Sequence, residues 1–167
     1  VECDEPLFHR PVLPVGEIEE RIGQHCASLI EDGAAIQLGI GTIPDAILHF
    51  LGEKNDLGVH SEMLCDGALG LLKAGNINNS RKQINKGVSV VTYLYGRDEL
   101  YEYAHLNPKL QIFPVNYVND PRIIGQNDNV VSVNSALSVD LIGQVAADAI
   151  SADKIFSGAG GFVDFVR

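Results

Sequence analysis

From Glu17 onward the apolar positions recur at intervals of three and four. Ile18, Ile22, Cys26, Leu29 and Ile30 form one stripe, which predicts an amphipathic helix. Glu17, Glu19 and Glu20 sit in its first turn, where the helix dipole favours acids, and Asp32-Gly33 closes it. Residues 34–38 read as a short buried strand. The turn Gly39-Ile40-Gly41-Thr42-Ile43-Pro44 follows, then a second helix with Ile43, Ala46, Ile47, Phe50 and Leu51 on its apolar face. Thr42 and Asp45 have the spacing of a capping box, and Pro44 suits a first helical turn. Residues 57–60 predict the next strand. Residues 64–74 predict a third helix, with Leu64, Ala68, Leu71 and Leu72 inward and Gly75 at its end. Strands over 88–94, 110–115 and 129–133 follow, with a helix over 98–105 closed by Asn107-Pro108. Residues 140–150 fit neither period, and 154–156 read as a last strand. Residues 1–14 carry three prolines and no period, as an extended connector does.

Strands alternating with helices imply an α/β fold: a three-layer, open, mainly parallel sheet covered on both faces. Ligands of such sheets sit outside the carboxyl ends of the strands. Three conspicuous stretches lie at predicted strand ends: residues 39–44, His60-Ser61-Glu62 and Asn134-Ser135. The 167 residues suffice for one domain with its own core. The net charge of −10 argues against nucleic acid, which needs clustered Lys and Arg, but not against one anionic ligand on a local basic patch. Arg81, Lys82 and Lys86 form the one dense basic cluster, a candidate phosphate contact or a solvated loop. No apolar run is long enough to span a membrane. The cysteines, Cys3, Cys26 and Cys65, are odd in number and widely spaced, so neither a disulfide framework nor a zinc knuckle is expected and a reducing cytoplasm is the default. Asn78-Asn79-Ser80 matches a glycosylation sequon by chance.

The glycine turn Gly39-x-Gly41-x-x-Pro44 lets a ligand approach the main chain, and the helix behind it offers free N–H groups to an anion or oxyanion. The same pattern also serves as a plain strand-to-helix turn. Glu62, about twenty residues further on, fits two chemistries. A strand-end carboxylate facing backbone donors can act as a nucleophile in acyl transfer. The spacing also suits a dinucleotide fold whose acid holds a ribose, although Pro44 stands where that fingerprint wants Gly or Ala. His60-x-Glu62 matches half of a zinc deaminase signature; the Pro-Cys-x-x-Cys half is absent, and no metal is expected. Asn134 either turns the chain or donates its amide to an oxyanion. Gly143-Gln144 is a turn or a contact. The glycines of 158–161 let backbone reach a bulky ligand, and Phe162, Val163 and Phe165 argue that this segment is packed rather than loose.

In order along the chain, Asp32-Gly33 with residues 37–46, then 57–63, Asp66-Gly67, 116–121, 133–137, 139–145, 157–161 and 163–165 resemble the acetyl-CoA hydrolase/transferase family. The closest resemblance is to the C-terminal catalytic domain of 4-hydroxybutyrate CoA-transferase-like and butyryl-CoA:acetate CoA-transferase-like members. Each stretch is modest alone; the ordered set is specific. The resemblance implies a CoA-transferase-type (NagB/RpiA-like) domain over 15–167, incomplete at its C-terminus and preceded by a linker, 1–14, from an upstream domain. It implies transfer of CoA between a short-chain acyl-CoA and a carboxylate through a glutamyl-CoA thioester on Glu62. A hydrolase of the same family, a nucleotide-binding module and a silent scaffold are the alternatives. It implies oxyanion and thioester contacts from Asn134 and from backbone at Gly160 and Gly161, with Gly39, Gly41 and Ile43 beside the acyl group. Coenzyme A enters as substrate. The remaining partners are an N-terminal domain of the same polypeptide, without which turnover is expected to be negligible, and further copies in a homo-oligomer. Phe162 stands where the family usually has Gln.

Overall fold

The computed structural model describes residues 4–151, 153–156, 158 and 160–167. Cys3, Ser157 and Ala159 therefore lie outside the described residues. Five parallel strands form the central sheet: β1 (Ala35–Leu38), β2 (Gly58–Cys65), β3 (Ser89–Tyr95), β4 (Leu110–Ile112) and β5 (Val130–Val133), in the order β4-β3-β2-β1-β5. Successive connections through α2 (Thr42–Phe50), α3 (Leu69–Ala74) and α4 (Asp98–Ala104) step the strands in one direction. The connection from β4 through α5 (Val115–Val118) and α6 (Pro121–Ile124) returns to the far side of β1. The strand order therefore reverses between β1 and β5, the place where open α/β sheets hold ligands.

One face of the sheet carries the larger core. Ile36, Leu38, Val59, Met63 and Val91 meet Ile30, Ile47, Leu48, Leu51, Leu72 and Leu100 from the α1–α4 side, α1 being Glu17–Ser28. The other face carries a smaller one, where Val90 packs with Val118, Ile124 and Phe165 of α5, α6 and α7 (Phe162–Phe165). Phe165 of the C-terminal segment is thus packed, as the sequence suggests. Two hairpins, β6 (Ser138–Val139) with β7 (Val145–Ala146) and β8 (Ala149–Ser151) with β9 (Lys154–Ile155), follow β5. They resolve the ambiguous stretch 140–150. Gly143 is left-handed at φ +87°, and Asp140 accepts from the amides of Ile142 and Gln144, so Gly143-Gln144 is a turn.

Several elements differ from the sequence reading, each for a local reason. The second strand does not stop at His60 but runs to Cys65, because β3 offers a long parallel partner that pairs as far as Tyr95. Its polar residues find partners inside the fold, though His60 only through one nitrogen: Nε2 donates to the carbonyl of Val118 at 2.9 Å. The third helix consequently starts only at Leu69, after a tight turn over Asp66–Ala68. The strand at 110 ends at Ile112, since Pro114 has no amide to continue the ladder and Val115 opens α5. Thr42 and Asp45 make no capping box: Gly41 is the N-cap, and Asp45 accepts both guanidinium nitrogens of Arg10, at 3.0 and 2.5 Å. The N-terminal segment, although it has no helix or strand, is therefore docked. Arg10 N also donates to Gly96 O, Tyr101 donates to Phe8 O, and the Phe8 ring stacks on Tyr95.

Helix α1 is present, but of its apolar stripe only Cys26 and Ile30 reach the core. Ile18 and Leu29 are exposed, while Gly23 and Ala27 are buried. Small residues let α1 approach α2 closely; a Cβ on Gly23 would lie 2.8 Å from Ala46. Lys82 is equally unexpected. It is buried, and its ammonium donates to the carbonyls of Val59 and Val88 at 2.9 and 2.7 Å, tying together the amino ends of β2 and β3. Arg81 pairs with Asp56. The basic cluster thus splits: Lys82 is a strut, not a phosphate ligand, and it sits at the opposite end of the strands from the glycine turn.

Burial pulls the Lys82 ammonium down to about 8 from 10.5. The folded state therefore holds this proton less tightly than the unfolded chain. The resulting stabilisation is complete above 10.5 and is lost as pH falls through about 8. Lys82→Met, which leaves two carbonyls without a donor, should cost about 1–3 kcal/mol. Denaturant melts should show the gap between wild type and variant widening from pH 8 to 10.5. A gap that narrows over that range would contradict the burial of a titrating ammonium.

Candidate active site

Residue alternation along β2 puts Val59, Ser61 and Met63 on the larger core and His60 and Glu62 on the face covered by α5 and α7. Glu62 accepts one hydrogen bond, from Asn119 Nδ2 to Oε2 at 3.1 Å. Among the described residues no cation pairs with it. Asn119 terminates α5 as its C-cap and is buried. The following residue, Asp120, N-caps α6 through its carboxylate and pairs with Arg122. Burial lowers the basicity of His60, only partly opposed by the Val118 carbonyl, and the charge of Lys82 lowers it further. The ring is therefore a neutral donor through Nε2, with Phe165 edge-on at 6.3 Å.

Gly161 lies against the pair. A Cβ there would overlap both Glu62 Oε2 and Asn119 Nδ2, so the backbone approaches the carboxylate as only glycine allows. Gly160 is left-handed at φ +58°. Of the buried side-chain polar atoms without a partner among the described residues, three gather here: His60 Nδ1, Asn119 Oδ1 and Thr92 Oγ1. Thr92 is level with Glu62 on β3, one position past the Ser61–Val91 pair.

The registers of β1 bring the other candidates to the same level. Ala35 pairs with Gly58 and with Val130; carried along the strands, this sets Gly39 between Glu62 and Asn134. The backbones of Glu62 and Asn134 are then about 10 Å apart, two strand spacings. Gly39 has open space where a Cβ would stand, and Gly41, at φ +126°, makes the turn into α2. Ile43, by contrast, packs toward the larger core on the other face of the sheet. Asn134 is held by neighbours: its amide donates to Ser132 Oγ at 2.8 Å and Gln37 Oε1 at 3.2 Å, and accepts from Gln37 Nε2. Asp66, the nearest other carboxylate in sequence, is committed to Arg97, accepting from its amide at 3.0 Å and its Nε at 3.4 Å. A cleft of about 530 Å³, lined by Asn116, Asn119, Arg122 and Asp164 among others, opens beside the site.

Sequence reasoning brought Glu62, Gly39, Asn134, Gly160 and Gly161 to one edge of the sheet but passed over Asn119, Gln37 and Thr92. Asn119-Asp120-Pro121 reads as turn chemistry, and its tie to Glu62 spans 57 residues, which no local pattern carries.

Residues 96–167 match the acetyl-CoA hydrolase/transferase C-terminal domain. The whole chain is 51% identical to a 4-hydroxybutyrate coenzyme A transferase of Clostridium kluyveri, covering 39% of that protein. It is 46% identical to a succinyl-CoA:cyclohexane-1-carboxylate CoA transferase of Geobacter metallireducens, covering 38%. The crystal structure of RipA from Yersinia pestis superposes with a TM-score of 0.86 at 40% identity, over 98% of this chain and 36% of that one. The chain spans about two fifths of the length of these relatives.

Gly161→Ala should force the Glu62 carboxylate away from Asn119 while leaving the melting temperature nearly unchanged, because Gly161 lies outside both cores. A crystal structure of the variant should show the Asn119–Glu62 separation beyond about 3.5 Å or the 158–161 segment displaced. An unaltered pair beside an undisturbed backbone at position 161 would contradict the close approach.

Proposed function

Because the chain belongs to the acetyl-CoA hydrolase/transferase family, we propose that it carries the catalytic edge of a CoA-transferase. On this reading it moves CoA between a short-chain acyl-CoA and a carboxylate through a glutamyl-CoA thioester on Glu62. The observation that carries the reading is the environment of Glu62. Among the described residues it is a carboxylate without a counter-ion, on a rigid strand, with glycine backbone pressed against it and buried polar atoms around it that lack partners. A glutamate kept only for the fold is solvated or paired with a cation; Glu62 is half-buried and has no cation beside it among the described residues.

The steps balance without a metal or an external base. Glu62 attacks the thioester carbonyl; the C–S bond breaks, CoA leaves as thiolate, and an acyl-glutamyl anhydride remains. The thiolate attacks the glutamyl carbonyl and expels the acyl group as its carboxylate, leaving the Glu62–CoA thioester. An acceptor carboxylate then attacks that thioester and displaces the thiolate, which takes the acceptor's acyl group and frees Glu62. Each tetrahedral step develops an oxyanion. Asn134 would meet it by yielding its longer bond to Gln37, and backbone at Gly160 and Gly161 would complete the cradle. Gly39 and Gly41 leave room for the acyl chain. Ile43, turned to the larger core, would bound that room only from behind. Water in place of the acceptor carboxylate gives hydrolysis, the second reading, which the family's own description favours as much.

The partners proposed are acyl-CoA, a carboxylate and further polypeptide of the same enzyme. Exposed apolar side chains on the hairpins, Leu141, Ile142, Ile155 and Phe156, and on α1 support a covering domain or copy. Turnover by the 167 residues alone is expected to be negligible. No described helix is long and apolar enough to cross a membrane. A reducing, cytoplasmic setting is proposed from the free thiols of Cys26 and Cys65.

In the full-length enzyme Glu62→Ala should abolish transfer, and Glu62→Asp should be severely impaired, since retreat by about 1 Å costs on the order of a hundredfold. Steady-state assays should leave Asp66→Ala far more active than Glu62→Ala; the reverse order would reassign the nucleophile. Asn134→Ala should lower kcat by about a hundredfold, near 2.7 kcal/mol, with little change in Tm. Lost stability with normal specific activity would make Asn134 a turn residue only.

A further inference from the structure

We infer that Arg10 is a positioning residue for the glycine turn 39–44: it grips Asp45 in the first turn of α2 and so fixes that turn against the edge of β2 that carries Glu62. This rests on the reading that Glu62 and the glycine turn form one site, and it adds the group that sets the spacing between them. The need for such a group comes from the sheet. Among the described residues β1 pairs with β5 as far as Leu38–Val133, but with β2 only as far as Ile36–Val59. Past that point Ser61 Oγ reaches the Leu38 carbonyl only at 3.5 Å, and a small apolar void lined by Leu38, Ser61 and Met63 among others lies against both strands. The turn is thus registered to the Asn134 side and not to the Glu62 side. It also holds itself poorly. Gly39 and Gly41 have no side chains to anchor it, Ile40 is exposed, and Gly41 caps α2 without a side-chain bond.

The Arg10–Asp45 pair supplies the missing hold. Arg10 Nη1 and Nη2 donate to the two carboxylate oxygens of Asp45 at 3.0 and 2.5 Å, a fork that fixes direction as well as distance. The Asp45 amide donates to the Gly41 carbonyl at 3.2 Å, so the grip passes straight to the turn. The same carboxylate accepts from Cys65 Sγ at 3.6 Å, further along β2 from Glu62. Burial, then the Asp45 charge, push that thiol up to about 11 and keep it a donor. Arg10 is anchored in turn. Its amide donates to the Gly96 carbonyl at 2.9 Å, and Tyr101 donates to Phe8 O at 2.7 Å while accepting from the Gly96 amide. Gly96 directly follows β3, which pairs with β2 as far as Cys65–Tyr95. Turn and carboxylate are therefore tied to one frame. Two features separate this from plain stability. A helix N-terminus disfavours a cation, so helix formation does not call for Arg10 there. An ion pair as sheltered as this one, with side chains 9% and 22% exposed, adds little net stability and serves chiefly to fix geometry.

The test uses the full-length enzyme. Wild type, Arg10→Ala, Arg10→Lys, Asp45→Asn and the double variant Arg10→Ala/Asp45→Asn are compared by circular dichroism melts, by amide hydrogen exchange, and by steady-state kinetics with butyryl-CoA and acetate. In Arg10→Ala the exchange of residues 39–46 should quicken by about tenfold, with β3 protected as in wild type. The turn is misplaced rather than lost, so kcat should fall by about tenfold while KM for butyryl-CoA changes by less than about threefold. Arg10→Lys, which keeps the charge but not the fork, should recover only part of kcat. The losses in Arg10→Ala and Asp45→Asn should not add, since both cut one link. If Arg10→Ala does not fold, Arg10→Lys and Asp45→Asn carry the same comparison. Unchanged exchange at 39–46, or additive losses, would overturn the inference, and so would faster exchange with wild-type kcat. Failure of the Glu62 reading shows separately, as wild type that gains no CoA adduct in its intact mass after acyl-CoA alone.

Discussion

The parallel pairing of β2 with β3 past His60 is the interaction on which the site depends. It carries Glu62 into the sheet rather than onto a loop, with backbone partners on one side recorded as far as the Cys65–Tyr95 pair. A carboxylate so placed has its height set by the ladder and its direction set by strand alternation. Side-chain contacts then have three side-chain torsions left to settle. The same pairing buries His60 and Ser61, so the polar tripeptide that looks like a strand end is held by polar partners inside the fold, a carbonyl on α5 and one on β1. Sites built on regular elements are more exact than sites built on loops.

The reversal of strand order between β1 and β5 gives the second constraint. Because the β4–β5 connection crosses to the opposite face, α5, α6 and the C-terminal segment lie over the carboxylate side of β2, while α1–α4 fill the other side. The two faces therefore divide labour. The larger core holds the sheet, with Lys82 fastening its amino end. The smaller face holds a lesser apolar cluster around Val90 and, among the described residues, unpartnered polar atoms near Glu62. Lys82, with Arg81 beside it, stands at the amino end of the strands, opposite the edge that carries Glu62.

Much of the fold was legible because its signals are local. The strand–helix alternation, the left-handed glycines at 41 and 143 and the packed tail at 162–165 all follow from residue type and spacing. The glycine turn, Glu62, Asn134 and Gly160-Gly161 were legible as candidates; register brings Gly39, Glu62 and Asn134 to one edge, and Gly161 lies against Glu62. What was not legible depends on distant partners. The stripe of α1 reads as inward, yet Gly23 and Ala27 form the contact, because closeness to Ala46 favours small side chains over large ones. Asp45 reads as a cap until Arg10, 35 residues away, claims it. Asn119 reads as a turn until α5 is laid over β2. Ile43 carries two readings in the sequence, and the helix that begins at Thr42 turns it into the larger core, as its place on the apolar face predicts.

The central claim is covalent, and one measurement addresses it directly: the mass of the full-length enzyme after brief exposure to acyl-CoA without an acceptor, followed by peptide mapping. The account predicts an increase equal to CoA less one water, located on the peptide that contains Glu62 and removed when a carboxylate acceptor is added. An unmodified polypeptide that nonetheless turns over acyl-CoA, or an adduct on a peptide without Glu62, would contradict it.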